Sequence, residues 1–120
     1  MDTQGVQEVL NEITRKVPGT EGAFLITADG FPVVSTLETG EQEGRCTAVG
    51  AILYDAAQKA VAELHLGGLE AVITKATEGY FVISHAQDEL FLMVLAKEDV
   101  PMGLVLMRMK KALPVLRKLL

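Results

Sequence analysis

With 120 residues, 49% of them apolar and 22% charged, the chain has the composition of one globular domain with a real core, which excludes intrinsic disorder and a second domain. The net charge of −5 hides an asymmetry: of eleven basic residues, Arg108, Lys110, Lys111, Arg117 and Lys118 lie near the end with no acid among them, leaving six against sixteen acidic residues, or −10, on residues 1–107. An acidic body argues against nucleic-acid binding, no apolar run approaches the ~18 residues of a membrane span, and the single cysteine, Cys46, can form no internal disulfide.

A soluble chain in a reducing cytoplasm is the expectation, with no early segment in the basic-then-apolar order of a secretion signal. Val6, Val9, Leu10, Ile13 and Val17 recur at helical spacing, and Glu8, Glu12, Arg15 and Lys16 occupy the other side. They predict a one-faced helix with a Glu12–Lys16 pair, stopped by Pro18-Gly19. Gly22 to Ala28 and Phe31 to Thr36 read as strands around Asp29-Gly30, the signature of a type I′ turn with φ > 0 at both residues. Pro32 cannot donate to a ladder, so the second strand belongs at an edge. Phe24 and Ile26 oppose Leu25, which requires a sheet covered on both faces.

A polar loop, Leu37 to Glu43, leads into the longest proline-free stretch, Gly44 to Leu66, whose alanine content predicts helix. Cys46, Val49, Gly50, Leu53, Ala57, Ala60, Val61 and Leu64 fall on one stripe, expected to face the core. The opposite side carries Ala48, Ala51, Asp55, Gln58, Lys59 and Ala62, with Ile52 and Ala56 on a flank. Residues this small and uncharged let a second helix approach, so the helix is expected to have two partners, its own domain and another protein.

Gly67-Gly68 supplies an αL cap. Leu69 to Ala76, Tyr80 to His85 and Glu89 to Ala96 then predict a meander, with Thr77-Glu78-Gly79 and Ala86-Gln87-Asp88 as separators. Phe91 to Ala96, apolar on both faces, is the candidate central strand. Asp99 reads as the N-cap of a last helix with a stripe of Met102, Val105, Leu106, Met109, Leu113 and Leu116, and Pro114 should kink that helix or end its first part near Leu113. The fold class is therefore α+β: five antiparallel strands between helices in the order α-β-β-α-β-β-β-α, in three layers.

Catalytic groups do not assemble in this pattern. His65 and His85 lack a metal-ligand spacing, Ser84 and His85 are consecutive on a strand and point to opposite faces, and no glycine loop fits a nucleotide phosphate. A chain with no cofactor, no metal and no enzymatic activity is expected. The basic last helix reads first as cations suited to a helix C-terminus beside Glu8 and Glu12 of the first helix. An amphipathic membrane-surface helix is the rival reading.

Four pieces in this order carry a family resemblance over nearly the whole chain. They are Gly22-Ala-Phe-Leu-Ile-Thr-Ala-Asp-Gly-Phe-Pro-Val33, the alanine-rich helix ending at Leu66-Gly67, Gly79-Tyr-Phe-Val-Ile83, and Val100-Pro-Met-Gly-Leu-Val105. Together they resemble the roadblock family, which includes dynein light chains and bacterial gliding regulators. The resemblance implies a roadblock-like (profilin-like) fold and a homodimer, with antiparallel central helices (Arg45 to Leu66) and with strands Leu69 to Ala76 pairing edge to edge into one continuous sheet. It also implies a non-catalytic regulator or platform for a Ras-like small GTPase. With the uncharged outer helix face, these implications select Ala48, Ala51, Ile52, Asp55, Ala56, Ala62, Val72, Ile73 and Thr74 as the dimer interface. Asp55, Gln58, Lys59 and Glu63 become the candidate GTPase-binding surface. The alternatives are a structural adaptor recruiting a sensor kinase or a motor/cargo complex, and a small-ligand sensor.

Overall fold

The computed structural model describes residues 1–37 and 40–120, with 40–42 described by backbone alone. Its elements run α1 (Thr3–Lys16), β1 (Thr20–Thr27), β2 (Pro32–Ser35), α2 (Gly40–Glu63), β3 (Ala71–Lys75), β4 (Gly79–Gln87), β5 (Leu90–Lys97) and α3 (Met102–Leu119). The strands form one antiparallel sheet in the order β2-β1-β5-β4-β3. The apolar strand β5 is central, as its composition requires. Pro32 lies on an edge strand, and β3 is the other edge.

Helices cover both faces. On one, α1 and α3 bring Val6, Leu10, Ile13, Val105, Met109 and Leu116 onto Leu25, Val82, Leu92 and Val94. On the other, Tyr54 of α2 joins Phe24, Ile26, Ile83, Phe91 and Met93. Neighbouring residues of β1 and β5 thus enter opposite clusters, which is why both strands read as unbroken apolar runs rather than alternating ones. The ends of the chain are tied together: Asp2 donates its N–H to the Leu119 carbonyl at 2.8 Å, and its carboxylate caps α1 by accepting from the Gly5 N–H at 2.9 Å. The buried Tyr80 hydroxyl donates to the Val100 carbonyl at 2.8 Å and pins the turn into α3 against β4.

Local geometry departs from expectation at six places. At Asp29-Gly30 only Gly30 has positive φ, +92°, and Thr27 and Phe31 bracket a three-residue loop through Gly30 N–H to Thr27 carbonyl and Thr27 N–H to Phe31 carbonyl bonds. The turn is therefore a type I reversal closed by an αL glycine, not type I′. Of the expected loop Leu37 to Glu43, residues 38 and 39 lie outside the described residues, and from Gly40 the backbone is already helical. α2 ends at Glu63, earlier than Leu66, in a Schellman motif: Leu66 N–H bonds the Val61 carbonyl and His65 N–H the Ala62 carbonyl, with His65 at φ 55°. The αL cap is His65, although Gly67 also has positive φ.

Strand β4 continues through Ala86 and Gln87, so the second separator shrinks to Asp88-Glu89, with Asp88 at φ 52°. Asp99 makes no cap. α3 starts after Pro101 without a side-chain cap, because Lys97 to Val100 close their own turn and the Pro101 carbonyl receives the Leu104 N–H. Nor does α3 end at Leu113: it runs through Pro114 to Leu119. Pro114 is exposed, and the bond it deletes belongs to the carbonyl of Lys110, another exposed residue that water can reach.

Candidate functional site

The candidate surface is the outward side of α2 together with the edge strand β3. Three contacts set which side of α2 faces out. Thr47, fully buried, donates its hydroxyl to the Gly30 carbonyl at 2.7 Å and joins the helix to the β1–β2 turn. Gly50 lies so close to the sheet that a Cβ there would stand 2.9 Å from the Met93 sulfur and 3.3 Å from Ile83. Tyr54 rests on Phe91 with ring centroids 4.1 Å apart. Thr47, Gly50, Ala51 and Tyr54 are thus the inner face, backed by the half-buried Cys46, Leu53, Ala57 and Val61.

This phase is rotated from the expected one. Ala51, expected in the dimer interface, is 8% exposed and packs under the Gly30 turn. Conversely Val49 (45% exposed), Ala60 and Leu64 leave the expected core stripe for solvent. The physical reason is the tyrosine. Both sides of α2 carry small or apolar residues, so periodicity alone leaves the phase open, and the largest side chain with the best aromatic partner decides it.

The remaining expected interface residues on α2, namely Ala48, Ile52, Asp55, Ala56 and Ala62, are exposed, Ile52 at 69%. Val49, Ile52, Ala56 and Ala60 follow one another at spacings of three, four and four, giving an apolar seam along the solvent side. Beside the end of α2, β3 is hydrogen-bonded to β4 on one edge only. Val72 and Thr74 are half-buried on the α2 side, opposite Ile83 and Phe81. Ile73, opposite Val82, is 47% exposed on the far face.

The four candidate partner-binding residues divide. Asp55, Gln58 and Lys59 line one open depression of about 390 Å³ with Ala62 and the Gly67-Gly68-Leu69 connection, and Lys59 pairs with Asp55 at 3.0 Å. Glu63 is exposed but lies outside that depression. Val49 and Ala60 are the interface candidates that sequence reasoning missed, hidden because they were counted toward the core.

Among the described residues, polar groups elsewhere do not converge. Ser84 is buried, opposite Ala71 and Leu92, while His85, on the other face, donates its Nε2–H to the Asp88 carbonyl at 2.7 Å. Among the described residues no three His, Cys, Asp or Glu side chains are placed to hold a metal ion. Burial pushes the Cys46 thiol up, against the opposing charge of Arg45, so the thiol is the neutral form at pH 7. No described helix is long and apolar enough to cross a membrane.

The fold defines a three-layer α+β module with a two-faced central helix beside an unpaired sheet edge. The chain belongs to the Roadblock/LC7 domain family, whose sequence profile matches residues 5–96. A relative from Methanocaldococcus jannaschii, the uncharacterized protein MJ0310, is 27% identical over 107 residues, covering 89% of this chain and 92% of its own. Two solved structures share the fold. An MglB with a tetrameric arrangement superposes with a TM-score of 0.88 at 20% identity, covering 98% of this chain and 89% of that one. The gliding protein MglB from Thermus thermophilus gives 0.86 at 20% identity over 98% and 90%.

Proposed function

We propose that the protein is a cytoplasmic, non-catalytic homodimer that serves as a regulator or platform for a Ras-like small GTPase. Membership of the roadblock family and the MglB-like fold support a regulatory or adaptor role. The observation that carries the dimer is the exposed apolar seam Val49-Ile52-Ala56-Ala60 next to the unpaired edge of β3, since one twofold contact covers both. An oligomeric arrangement of an MglB is in keeping with such use of the fold. Two copies of α2 side by side then present the Asp55, Gln58 and Lys59 surface twice, flanking a composite platform. A GTPase docked there has its nucleotide cycle altered only as far as the platform binds one switch conformation better than the other.

The experiment is light scattering at micromolar concentration, followed by co-elution with a Ras-like GTPase from the same organism loaded with GTP or GDP. The expected mass is twice 12.9 kDa, with one nucleotide state retained in preference. A particle of 12.9 kDa removes the dimer. Equal and negligible retention of both states removes the GTPase and leaves the adaptor role.

A further inference from the structure

The cations of α3 are not neutralised by the acids of α1. Glu12 bonds Lys16 of its own helix at 2.8 Å, which is the main cause holding its carboxyl below the usual carboxylate range, with Arg108 the least of the causes. Among the described residues no ion pair engages Lys110, Lys111, Arg117 or Lys118, all of them exposed. Among the described residues the charge excess therefore stands without ion pairs on a helix whose inner side, Val105, Met109, Ala112 and Leu116, is built into the core.

Two of these cations line a groove. α3 packs on β4 and β5, and between it and the start of β3 the sheet face is open, leaving a groove of about 650 Å³. The α3 wall reads Leu106, Lys110, Leu113, Arg117, spaced four, three and four residues apart, which puts all four on one edge of the helix. The leucines are half-buried, and Leu69, Glu70 and Ala71 form the far wall, with Glu70 the one acid of the lining against the two cations of α3. Arg117 is oriented: its Nε donates to the Ala86 carbonyl at 2.8 Å, which holds the guanidinium plane and leaves its terminal N–H groups for another acceptor.

We infer that this groove docks an acidic amphipathic helix of a partner protein. Lys110 and Arg117 are separated by two helical turns, roughly 10 Å along the axis, so two carboxylates seven residues apart on the incoming helix reach both. An apolar residue between those carboxylates packs against Leu113. Charge complementarity sets the orientation and the leucines supply the buried contact. A flat anionic bilayer suits the site less well, because the lysine and arginine flank a concave surface and the same helical layer exposes Glu8. The groove opens on the face of the sheet opposite α2, so the inference stands apart from any GTPase at α2.

The test titrates isotope-labelled protein with a synthetic helical peptide in which leucine and glutamate alternate at the four-three-four spacing, and with its lysine-for-glutamate counterpart. The acidic peptide should saturate and shift resonances from Leu69 to Ala71 and from Leu106 to Arg117. The double variant Lys110→Glu/Arg117→Glu should weaken that binding roughly tenfold with unchanged mass and a small fall in Tm from the lost Arg117–Ala86 bond. If the double variant folds poorly, Lys110→Glu alone, which touches no internal bond, should still weaken it measurably. Absence of saturation, equal binding of the two peptides, shifts confined to α2, or unchanged affinity in Lys110→Glu overturns the proposal. Binding only to phosphatidylserine vesicles, and not to the peptide, replaces the helix by a membrane surface and overturns it as well.

Discussion

Two residues in the left-handed region make opposite predictions. Gly30 holds φ +92° with its α-carbon pressed on α2, where an added Cβ would stand 3.1 Å from the Ala48 backbone. Neither the backbone of α2 nor the turn can yield cheaply, so Gly30→Ala should cost ~2 kcal/mol, a fall in Tm of roughly 5–10 °C. His65 holds φ 55° as the helix cap, is exposed, and lies in a position that glycine occupies without strain. His65→Gly should therefore leave the fold intact and raise stability by up to ~1 kcal/mol, the relief of αL strain exceeding the added chain entropy. Thermal melts of the two variants check both signs. The sequence announced the first position through its Asp-Gly pair. The second was hidden, because a histidine followed closely by two glycines points to the glycines as the cap, and only the paired bonds from Leu66 and His65 reveal which residue turns the chain.

At the scale of the element, α2 serves both the fold and the proposed dimer, and adjacent residues separate the two. Ile52 is exposed and touches none of the core, whereas Ala51 is buried beneath the β1–β2 turn. Ile52→Asp should keep the Tm within a degree or two of the parent while shifting light scattering from dimer to monomer, since a carboxylate in an apolar seam is left without a partner. Ala51→Asp should unfold the domain, losing several kcal/mol to a buried unpaired charge beside Gly30. If both variants melt alike, the phase of α2 described above is wrong. That the stretch is a helix, and that its back is left apolar and uncovered by its own domain, was legible from its alanine content and small outward residues. Its rotation was not, because the angular difference between Ala51 and Val49 as inner residues rests on Tyr54 finding Phe91, a contact between segments far apart in the chain.

For the whole molecule, the element order, the Pro32 edge strand, the central β5 and the division into layers were legible from turns and apolar runs, and the edge position of β3 from the family resemblance. What the chain alone left open are relations between layers: the unpaired charge of α3, the groove over β3, and the surface shared by Asp55, Gln58 and Lys59 but not Glu63. The proposed dimer adds a relation between molecules, and hydrogen exchange tests its strand component separately from its helix component. β1, β5 and β4 are each bonded on both edges, so their amides should exchange most slowly in any state. β3 is bonded only to β4, so the amides on its outer edge should exchange quickly in a monomer and slowly in a dimer whose sheets join at that edge. Protection of the outer β3 amides in the parent protein, lost in Ile52→Asp while β1 and β5 stay unchanged, is the expected result. Fast exchange at β3 in a particle that light scattering shows to be a dimer would mean that the α2 seam alone holds the two copies. The free edge would then be available to an extended peptide.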